Sequence, residues 1–231
     1  MKRKIKTPFF SVNPKGYLFG KEAVELAVEA DRLAKQHDID LFYTAQTVDF
    51  PAINGAVDKI FLTAQHMDPL LPGRGMGYIF PAALQHYNVK ATFLNHAEHP
   101  VSLRDLVKTM KLADSLDMYT IVCADSIQEA QAIAQLKPDI LICEPTELIG
   151  TGQTSSAEYM ETSKTAVKQI SPETLVLQAA GISTGEDVYR TIIAGADGTG
   201  GTSGIVCAPD KIAVLREMVA ALVEARSKLG V

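Results

Sequence analysis

Short apolar segments with the composition of β-strands alternate along the chain with longer segments of helical periodicity. The strand-like segments are five to seven residues long and span residues 7–12, 39–45, 59–64, 89–94, 119–124, 139–143 and 174–179. An eighth, weaker segment covers residues 197–201. Apolar runs of this length, without strict alternation of polar and apolar residues, predict strands that are buried on both faces, as in parallel sheets.

The intervening segments carry the signals of helices. In the first of them, apolar side chains recur every three or four residues and therefore share one helix face: Ala23, Leu26, Ala27, Ala30, Leu33 and Ala34. Four later segments open with a serine or threonine that is followed three residues on by an acidic residue. This helix-capping pattern begins at Ser102, Ser126, Ser155 and Thr184.

The repeated order of strand and helix predicts an α/β fold. About eight such units are the number that closes into a (β/α)8 TIM barrel, and 231 residues are enough for one barrel domain over residues 1–231. A doubly wound open sheet is the alternative, because a strand count from sequence can be wrong by one or two.

Charge and composition exclude several classes of partner. The net charge of −5 argues against nucleic acid or an anionic membrane as the main partner. No stretch approaches the roughly 18 apolar residues of a membrane-spanning helix, and no long apolar run follows the basic residues 2–4, so we expect no secretory signal. Cys123, Cys143 and Cys207 fit neither a disulfide framework nor a zinc site, which predicts a reduced, cytoplasmic protein.

The residues that follow the predicted strands are polar or rich in glycine. The polar ones are Asn13 and Lys15 after the first strand, Gln65 and His66 after the third, Asn95, His96 and Glu98 after the fourth, and Glu144 after the sixth. Glycine-containing loops follow the last three strands, at residues 150–152, 181–183 and 200–204. A barrel brings all these residues to the rim at the carboxyl ends of its strands, where such folds hold their chemistry.

This set of groups suits the removal of a proton next to a carbonyl group on a phosphorylated substrate. Carbon acids are weak, so the reaction needs a base close to the substrate and a group that stabilises the enolate oxygen. A carboxylate supplies the base, and a histidine and a lysine supply the stabilising groups. Glycine loops at helix N-termini can hold a phosphate without a cluster of arginines.

The motif Glu-Pro-Thr-Glu-Leu-Ile-Gly-Thr-Gly at residues 144–152 resembles the catalytic loop of the triosephosphate isomerase family, in particular its compact archaeal form. The motifs Asn-x-Lys at 13–15, Asn-His-x-Glu at 95–98 and Ala-Gly-Ile-Ser at 180–183 are also similar to motifs of that family. The resemblance runs in order, without large gaps, from about residue 8 to the final helix.

The resemblance implies roles for the matching residues. Glu144 would be the base that moves the proton between two adjacent carbons. His96 would act as a neutral electrophile, a role for which this family is the standard worked example. Lys15 would add positive charge near the substrate oxygens, Asn13 would position the substrate, and Glu98 would pair with Lys15.

The resemblance also implies a phosphate site and a lid. Phosphate contacts, mostly through backbone groups, would come from Thr151, Gly152, Gly181, Ser183, Ser203 and Gly204. Residues 145–152 would form a lid that protects the enediol intermediate from loss of phosphate. The implied activity is that of an aldose–ketose isomerase of glycolysis and gluconeogenesis, without cofactor or metal, in a homodimer or homotetramer.

Several features depart from the family pattern, and three of them bear on the substrate. Ala97 stands where the family has a serine beside the catalytic histidine, Met76 replaces the threonine that reaches the neighbouring subunit, and Gly200-Gly201 loosens a strand that is otherwise rich in leucine. They leave open an isomerase for another ketose phosphate of four or more carbons. A non-catalytic barrel that binds sugar phosphates is a separate alternative.

Other residues have simpler interpretations. His66 could bind a metal together with His96, but neither a carboxylate nor a cysteine lies at ligand spacing, so structural support is the preferred hypothesis. Cys143 precedes Glu144 but is typical of a core cysteine at a strand end. The glycines at 198–204 do not fit a dinucleotide-binding motif.

Overall fold

The computed structural model describes residues 2–144 and 156–230, in which eight parallel strands pair side by side into a closed barrel. The strands follow one another around the barrel in chain order: β1 (Phe9–Val12), β2 (Leu41–Ala45), β3 (Phe61–Ala64), β4 (Ala91–Leu94), β5 (Tyr119–Ala124), β6 (Ile140–Cys143), β7 (Leu175–Gln178) and β8 (Gly198–Gly201). Strand β1 also pairs with β8, which closes the sheet. The predicted (β/α)8 barrel is confirmed, and the open doubly wound sheet is excluded.

Helices follow the strands and cover the outside of the barrel. Their bounds are α1 (Gly20–His37), α2 (Phe50–Asn54), α3 (Pro81–His86), α4 (Leu103–Ser115), α5 (Ile127–Ala134), α6 (Ala157–Ile170), α7 (Gly185–Ile193), α8 (Ser203–Val206) and α9 (Lys211–Leu229). All six residues of the predicted inner face of α1 are buried. Within residues 2–144 and 156–230, no helix combines the length and apolar character needed to cross a membrane.

Side-chain caps start several of these helices, as the sequence predicts. The hydroxyls of Ser102, Ser126 and Thr184 each accept a hydrogen bond from the backbone N–H three residues on. The predicted cap at Ser155 lies outside the described residues. Helix α6 is capped instead by Ser156, whose hydroxyl accepts from a backbone N–H three residues further along.

The barrel has two apolar layers because successive strand residues point to opposite faces of the sheet. The layer between sheet and helices contains buried residues from both. Among the described residues, the buried apolar side chains inside the barrel come from the strands and the N-terminal segment: Ile5, Phe9, Phe42, Phe61, Ala91, Phe93, Tyr119, Ile121, Cys123, Ile140, Ile142 and Leu177. Aromatic rings fill the part of this layer near the amino ends of the strands. There the rings of Phe42 and Phe61 stack with centroids 4.7 Å apart.

The N-terminal segment closes the base of the barrel, at the amino ends of the strands. Both terminal nitrogens of the Arg3 guanidinium donate to the buried carboxylate of Asp40, each at 2.7 Å. The same guanidinium lies 4.7 Å from the ring centroid of Phe61, and the hydroxyl of Tyr119 donates to the Arg3 carbonyl at 2.6 Å. Ile5 is buried in the interior cluster beside them. This segment is therefore part of the folded barrel.

Strand β8 contributes almost no side chain to the interior, and its neighbour β1 fills the space. A Cβ atom added at Gly198 would lie 2.5 Å from the ring of Phe9. Gly200 pairs in register with Ser11, and a Cβ atom added there would lie 2.1 Å from the Ser11 carbonyl oxygen. Gly198 and Gly200 are thus required by the close approach of β1.

We expect Gly200→Ala to lower the free energy of unfolding by at least about 1–3 kcal/mol, the usual cost of overpacking a core. The added methyl group meets backbone atoms, which cannot turn aside as a flexible side chain can. Urea denaturation followed by circular dichroism would measure the change. The control is Gly55→Ala, because its added Cβ atom would have no neighbour closer than 3.6 Å. Equal stability of the two variants would contradict the tight β1–β8 contact.

Candidate active site

The loop after β1 holds Lys15 in a fixed and uncommon backbone conformation. Lys15 has a φ of 48°, in the left-handed region that residues other than glycine rarely adopt. Its N–H donates to the Asn13 side-chain oxygen at 3.0 Å. Its carbonyl accepts from the side-chain amides of Gln46 at 3.1 Å and Gln65 at 2.7 Å. Such strain persists only where the surroundings over-determine it, and here the ends of β1, β2 and β3 all contribute.

The Lys15 ammonium group points to the rim of the barrel and pairs with Glu98. The distance from Lys15 Nζ to Glu98 Oε1 is 2.7 Å, and the lysine side chain is largely buried. Hydrogen bonding to Lys15 lowers the pKa of the Glu98 carboxyl, so Glu98 is a carboxylate at neutral pH. The predicted ion pair between these two residues is present.

His96 is held as a neutral imidazole of defined tautomer. The backbone N–H of Glu98 donates to His96 Nδ1 at 3.0 Å, so that nitrogen acts as an acceptor and carries no proton. The proton of the neutral ring therefore lies on Nε2. Burial lowers the pKa of His96, the charge of Lys15 lowers it further, and Glu98 opposes them.

Asn95 fixes the loop that carries His96. It has a φ of 57°, and its side-chain amide donates to the Cys123 carbonyl and to Glu129, both at 3.0 Å. Its side-chain oxygen accepts from the Val101 N–H at 3.2 Å. The loop after β4 is thereby tied to the end of β5, which sets the direction of the histidine.

Glu144 follows directly after β6, and its N–H donates to the Ala124 carbonyl at 2.9 Å. Burial raises the pKa of the Glu144 carboxyl, Lys15 opposes this rise, and Glu98 adds to it. A carboxylate with a raised pKa is a stronger base than one in water. Thr151, Gly152 and the rest of the predicted lid over residues 145–152 lie outside the described residues.

One cavity joins these groups at the carboxyl ends of the strands. Of the predicted site residues, those that line it are Asn13, Lys15, His96, Glu98, Glu144, Gly181 and Ser203. Its polar rim therefore holds a carboxylate, a neutral imidazole and an ammonium group on a floor formed by Phe93, Ile142 and Leu177. This arrangement can move a proton on a bound carbonyl compound and stabilise the resulting oxyanion.

Ser183 and Gly204 do not line this cavity. The Ser183 hydroxyl donates to the Gly181 carbonyl at 3.1 Å, and its N–H donates to Asp187 at 3.1 Å. A Cβ atom added at Gly204 would lie 2.7 Å from the Ile182 carbonyl oxygen. The hydrogen bonds of Ser183 therefore lie within its own loop and to α7, and Gly204 allows α8 to approach that loop. The assignment of both residues as phosphate contacts stays a prediction.

The sequence interpretation missed several residues at the cavity. Gln46 follows β2, a strand after which no rim residue was predicted. Its side-chain amide donates to the Lys15 carbonyl. The other lining residues that the sequence interpretation did not place at the rim are Ser11, Tyr17, Phe93, Ile142, Leu177 and Ala179. Ile182, Gly201 and Thr202 also line the cavity and lie in the two glycine-containing loops that were expected there. Ser11 could have been found from its place two residues before Asn13, on the same strand face as Phe9.

His66 and Cys143 contact other side chains of the protein, which favours structural roles for both. His66 Nε2 lies 3.3 Å from Asp68 Oδ1, and its ring lies 4.1 Å from that of His99. Across the parts of the chain that the structure describes, no three potential ligands come together as a metal site. Cys143 is buried and its sulfur lies 3.1 Å from the Tyr159 hydroxyl. Burial raises the pKa of its thiol, which disfavours the reactive thiolate.

The sequence is similar to those of known proteins. A family model described as triosephosphate isomerase matches residues 8–221. The triosephosphate isomerase of Methanobacterium bryantii is 35% identical over 218 residues, which are 92% of this chain and 96% of the relative. That of Methanocaldococcus jannaschii is 35% identical over 203 residues, 87% of this chain and 92% of the relative. That of Methanobrevibacter smithii is 33% identical over 223 residues, 94% of this chain and 100% of the relative.

We expect the pKa of the His96 imidazole to lie below its ordinary value and to fall further in Glu98→Gln. The substitution keeps the backbone N–H that bonds Nδ1 but removes the one charge that raises the pKa. Nitrogen-15 NMR of the ring during a pH titration would give both the pKa and the tautomer.

The control is Glu25→Gln, which removes the same charge from an exposed side chain on α1 that pairs only with Lys21 among the described residues. It should leave the His96 titration unchanged. A rise of the His96 pKa in Glu98→Gln would contradict the electrostatic argument.

Proposed function

The chain belongs to the triosephosphate isomerase family, and from this premise we propose that it interconverts dihydroxyacetone phosphate and D-glyceraldehyde 3-phosphate. One observation supports the proposal most directly. A carboxyl group of raised pKa, Glu144, and a neutral histidine with its proton on Nε2, His96, line the same cavity as Lys15. This reaction is a step of glycolysis and gluconeogenesis.

In the proposed mechanism, the Glu144 carboxylate removes a proton from the carbon next to the substrate carbonyl. The electron pair of the C–H bond forms a carbon–carbon double bond, and the carbonyl oxygen takes up the negative charge. The Nε2–H of His96 and the ammonium group of Lys15 stabilise that oxygen. A proton then moves from the hydroxyl group of the deprotonated carbon to the charged oxygen, so the negative charge passes to the other oxygen. The protonated Glu144 gives its proton to the former carbonyl carbon, the second oxygen forms the new C=O bond, and the carboxylate is restored.

The protonation state of His96 matters for the stabilisation of the oxyanion. A neutral imidazole is a weak acid, so it donates a hydrogen bond to the developing oxyanion without first giving its proton to the solvent. Burial and Lys15 both keep the ring neutral. Lys15 contributes its positive charge without drawing the Glu144 pKa down to an ordinary value, because burial raises this pKa more strongly and Glu98 adds to the rise.

The features that suggested a longer ketose phosphate do not enlarge this cavity. The space beside Gly200 is occupied by the backbone of Ser11, and a Cβ atom at Gly201 would lie 3.2 Å from Ile205. The Met76 side chain is fully exposed. Ala97 lines a separate cavity behind His96 and Glu144. These observations favour the triose phosphate over a substrate of four or more carbons.

We further propose that the protein is a homodimer or homotetramer. Large apolar side chains are exposed on the loops after β1, β2 and β3, along one side of the rim: Tyr17, Phe19, Val48, Leu71, Met76 and Tyr78. Exposed apolar patches of this kind mark interaction surfaces.

We also propose a cytoplasmic location and a single domain over residues 1–231. The three free thiols suit a reducing compartment, and strands from both ends of the chain close the barrel.

We expect fast interconversion of the two triose phosphates by the wild type and a loss in kcat of about 10²–10⁴-fold or more in Glu144→Gln. The amide has the shape of the carboxyl group but cannot accept the proton. A coupled dehydrogenase assay would measure the rates, and an unchanged melting curve would show that the variant is folded. Binding of the triose phosphates without turnover by the wild type would contradict the proposal and support a sugar-phosphate sensor.

We expect Met76→Glu to weaken self-association, because it places a charge on the most exposed apolar side chain of the rim. Size-exclusion chromatography with light scattering would give the mass at several concentrations. The control is Leu229→Glu, at the exposed end of α9, which should leave the mass unchanged. A wild type that is monomeric at all concentrations would disprove the proposed oligomer.

A further inference from the structure

Ser11 is a buried residue that places a hydroxyl on the floor of the active-site cavity. It lies on the inward face of β1, it is only 4% exposed, and it lines the same cavity as Lys15 and Glu144. The other strand residues that line the cavity are Phe93, Ile142 and Leu177 of the floor, and Gly201. Ser11 is thus the one polar side chain among the described strand residues that line the cavity.

The hydroxyl of Ser11 has no hydrogen-bond partner among the described side chains and backbone groups. Other strand hydroxyls bond within the sheet: Thr63 donates to the Phe61 carbonyl at 2.9 Å, and Thr199 donates to the Gln178 carbonyl at 2.8 Å. The Ser11 oxygen is not one of the fully buried atoms that lack a partner, which among the described residues are Thr44 Oγ1 and Asp49 Oδ2. It is open to the cavity, where water or a ligand can bond to it. Ser11 is therefore available to whatever occupies the site.

The position of Ser11 in the barrel indicates which part of the ligand it meets. Ser11 pairs in register with Gly200, and Gly201, Thr202 and Ser203 follow directly and line the same cavity. A side chain at position 200 would collide with the Ser11 backbone, so the glycine lets the two strands approach. Ser11 consequently lies beside the loop after β8, on the side of the cavity where the resemblance places the phosphate.

We propose that the Ser11 hydroxyl donates a hydrogen bond to the phosphate end of the substrate and is a specificity-determining residue for phosphorylated substrates. This inference rests on the proposed function for the identity of the substrate. A hydrogen bond from a neutral hydroxyl to an anion is stronger than one between two neutral groups.

A neutral donor suits this place better than a second cation. Lys15 already acts against the raised pKa of Glu144. Another positive charge on the cavity floor would draw that pKa down further and weaken the base. A hydroxyl binds the phosphate without this electrostatic penalty.

The test compares Ser11→Ala with the wild type on two substrates, D-glyceraldehyde 3-phosphate and unphosphorylated D-glyceraldehyde. We expect about a tenfold loss of kcat/KM for the phosphorylated substrate and less than a twofold change for D-glyceraldehyde. Proton exchange at C2 in deuterium oxide, followed by NMR, measures the slow reaction of the unphosphorylated aldehyde. Equal losses on the two substrates would overturn the inference, since a structural role would impair both.

The matched control is Thr44→Val, which removes a buried hydroxyl from the neighbouring strand β2. Thr44 Oγ1 also has no partner among the described residues, but Thr44 does not line the cavity. This variant should change neither substrate's kcat/KM. A control that lost activity toward the phosphorylated substrate alone would overturn the assignment to Ser11.

Binding of inorganic phosphate, measured by isothermal titration calorimetry, tests the contact without any turnover. We expect Ser11→Ala to bind phosphate about tenfold more weakly than the wild type, with Thr44→Val unchanged. A wild type that binds phosphate through Ser11 but does not isomerise triose phosphates would refute the proposed function and leave the contact standing. Unchanged phosphate affinity in Ser11→Ala would refute the contact itself.

Discussion

The active site depends on the way the barrel fixes the backbone of Lys15. The left-handed conformation at this residue is unfavourable by about 1–3 kcal/mol in isolation, yet side chains at the ends of three adjacent strands hold it in place. Asn13 accepts from its N–H, and the amides of Gln46 and Gln65 donate to its carbonyl. Because each of these residues ends a strand, the register of the sheet decides where the ammonium group lies.

From that point, one positive charge influences Glu98, His96 and Glu144. Lys15 pairs with Glu98, lowers the pKa of His96 and acts against the burial that raises the pKa of Glu144. Glu98 opposes Lys15 at both of these residues. The protonation states that proton transfer needs, an ionised but basic carboxylate and a neutral imidazole, therefore result from a balance between burial and a single ion pair.

The fold and the main chemical groups could be predicted from the sequence because both follow from local patterns. Short apolar runs and helix caps give the order of strands and helices, and each strand end marks a rim position. Gln46 and Ser11 were missed for a physical reason. Their importance depends on a contact across the sheet, to the Lys15 carbonyl in one case and to the close approach of β8 in the other. Such contacts leave no periodicity in the sequence.

Glu144, His96 and Lys15 all line the cavity, but only part of the predicted phosphate set among the described residues does so. Gly181 and Ser203 line the cavity, whereas Ser183 bonds within its own loop and to α7, and Gly204 lets α8 approach that loop closely. A glycine motif shows that backbone segments come close together. It does not show whether the approach serves a ligand or a neighbouring loop.

The contact between β1 and β8 joins the two ends of the chain, since nearly the whole sequence lies between Ser11 and Gly200. During synthesis, the barrel can close only after β8 has been made, so this wall of the cavity is assembled from the first and the last strands. A ligand that binds across it contacts residues brought together by closure alone. Such a ligand binds the closed barrel and not the open chain, and its concentration thereby sets part of the stability of the whole fold.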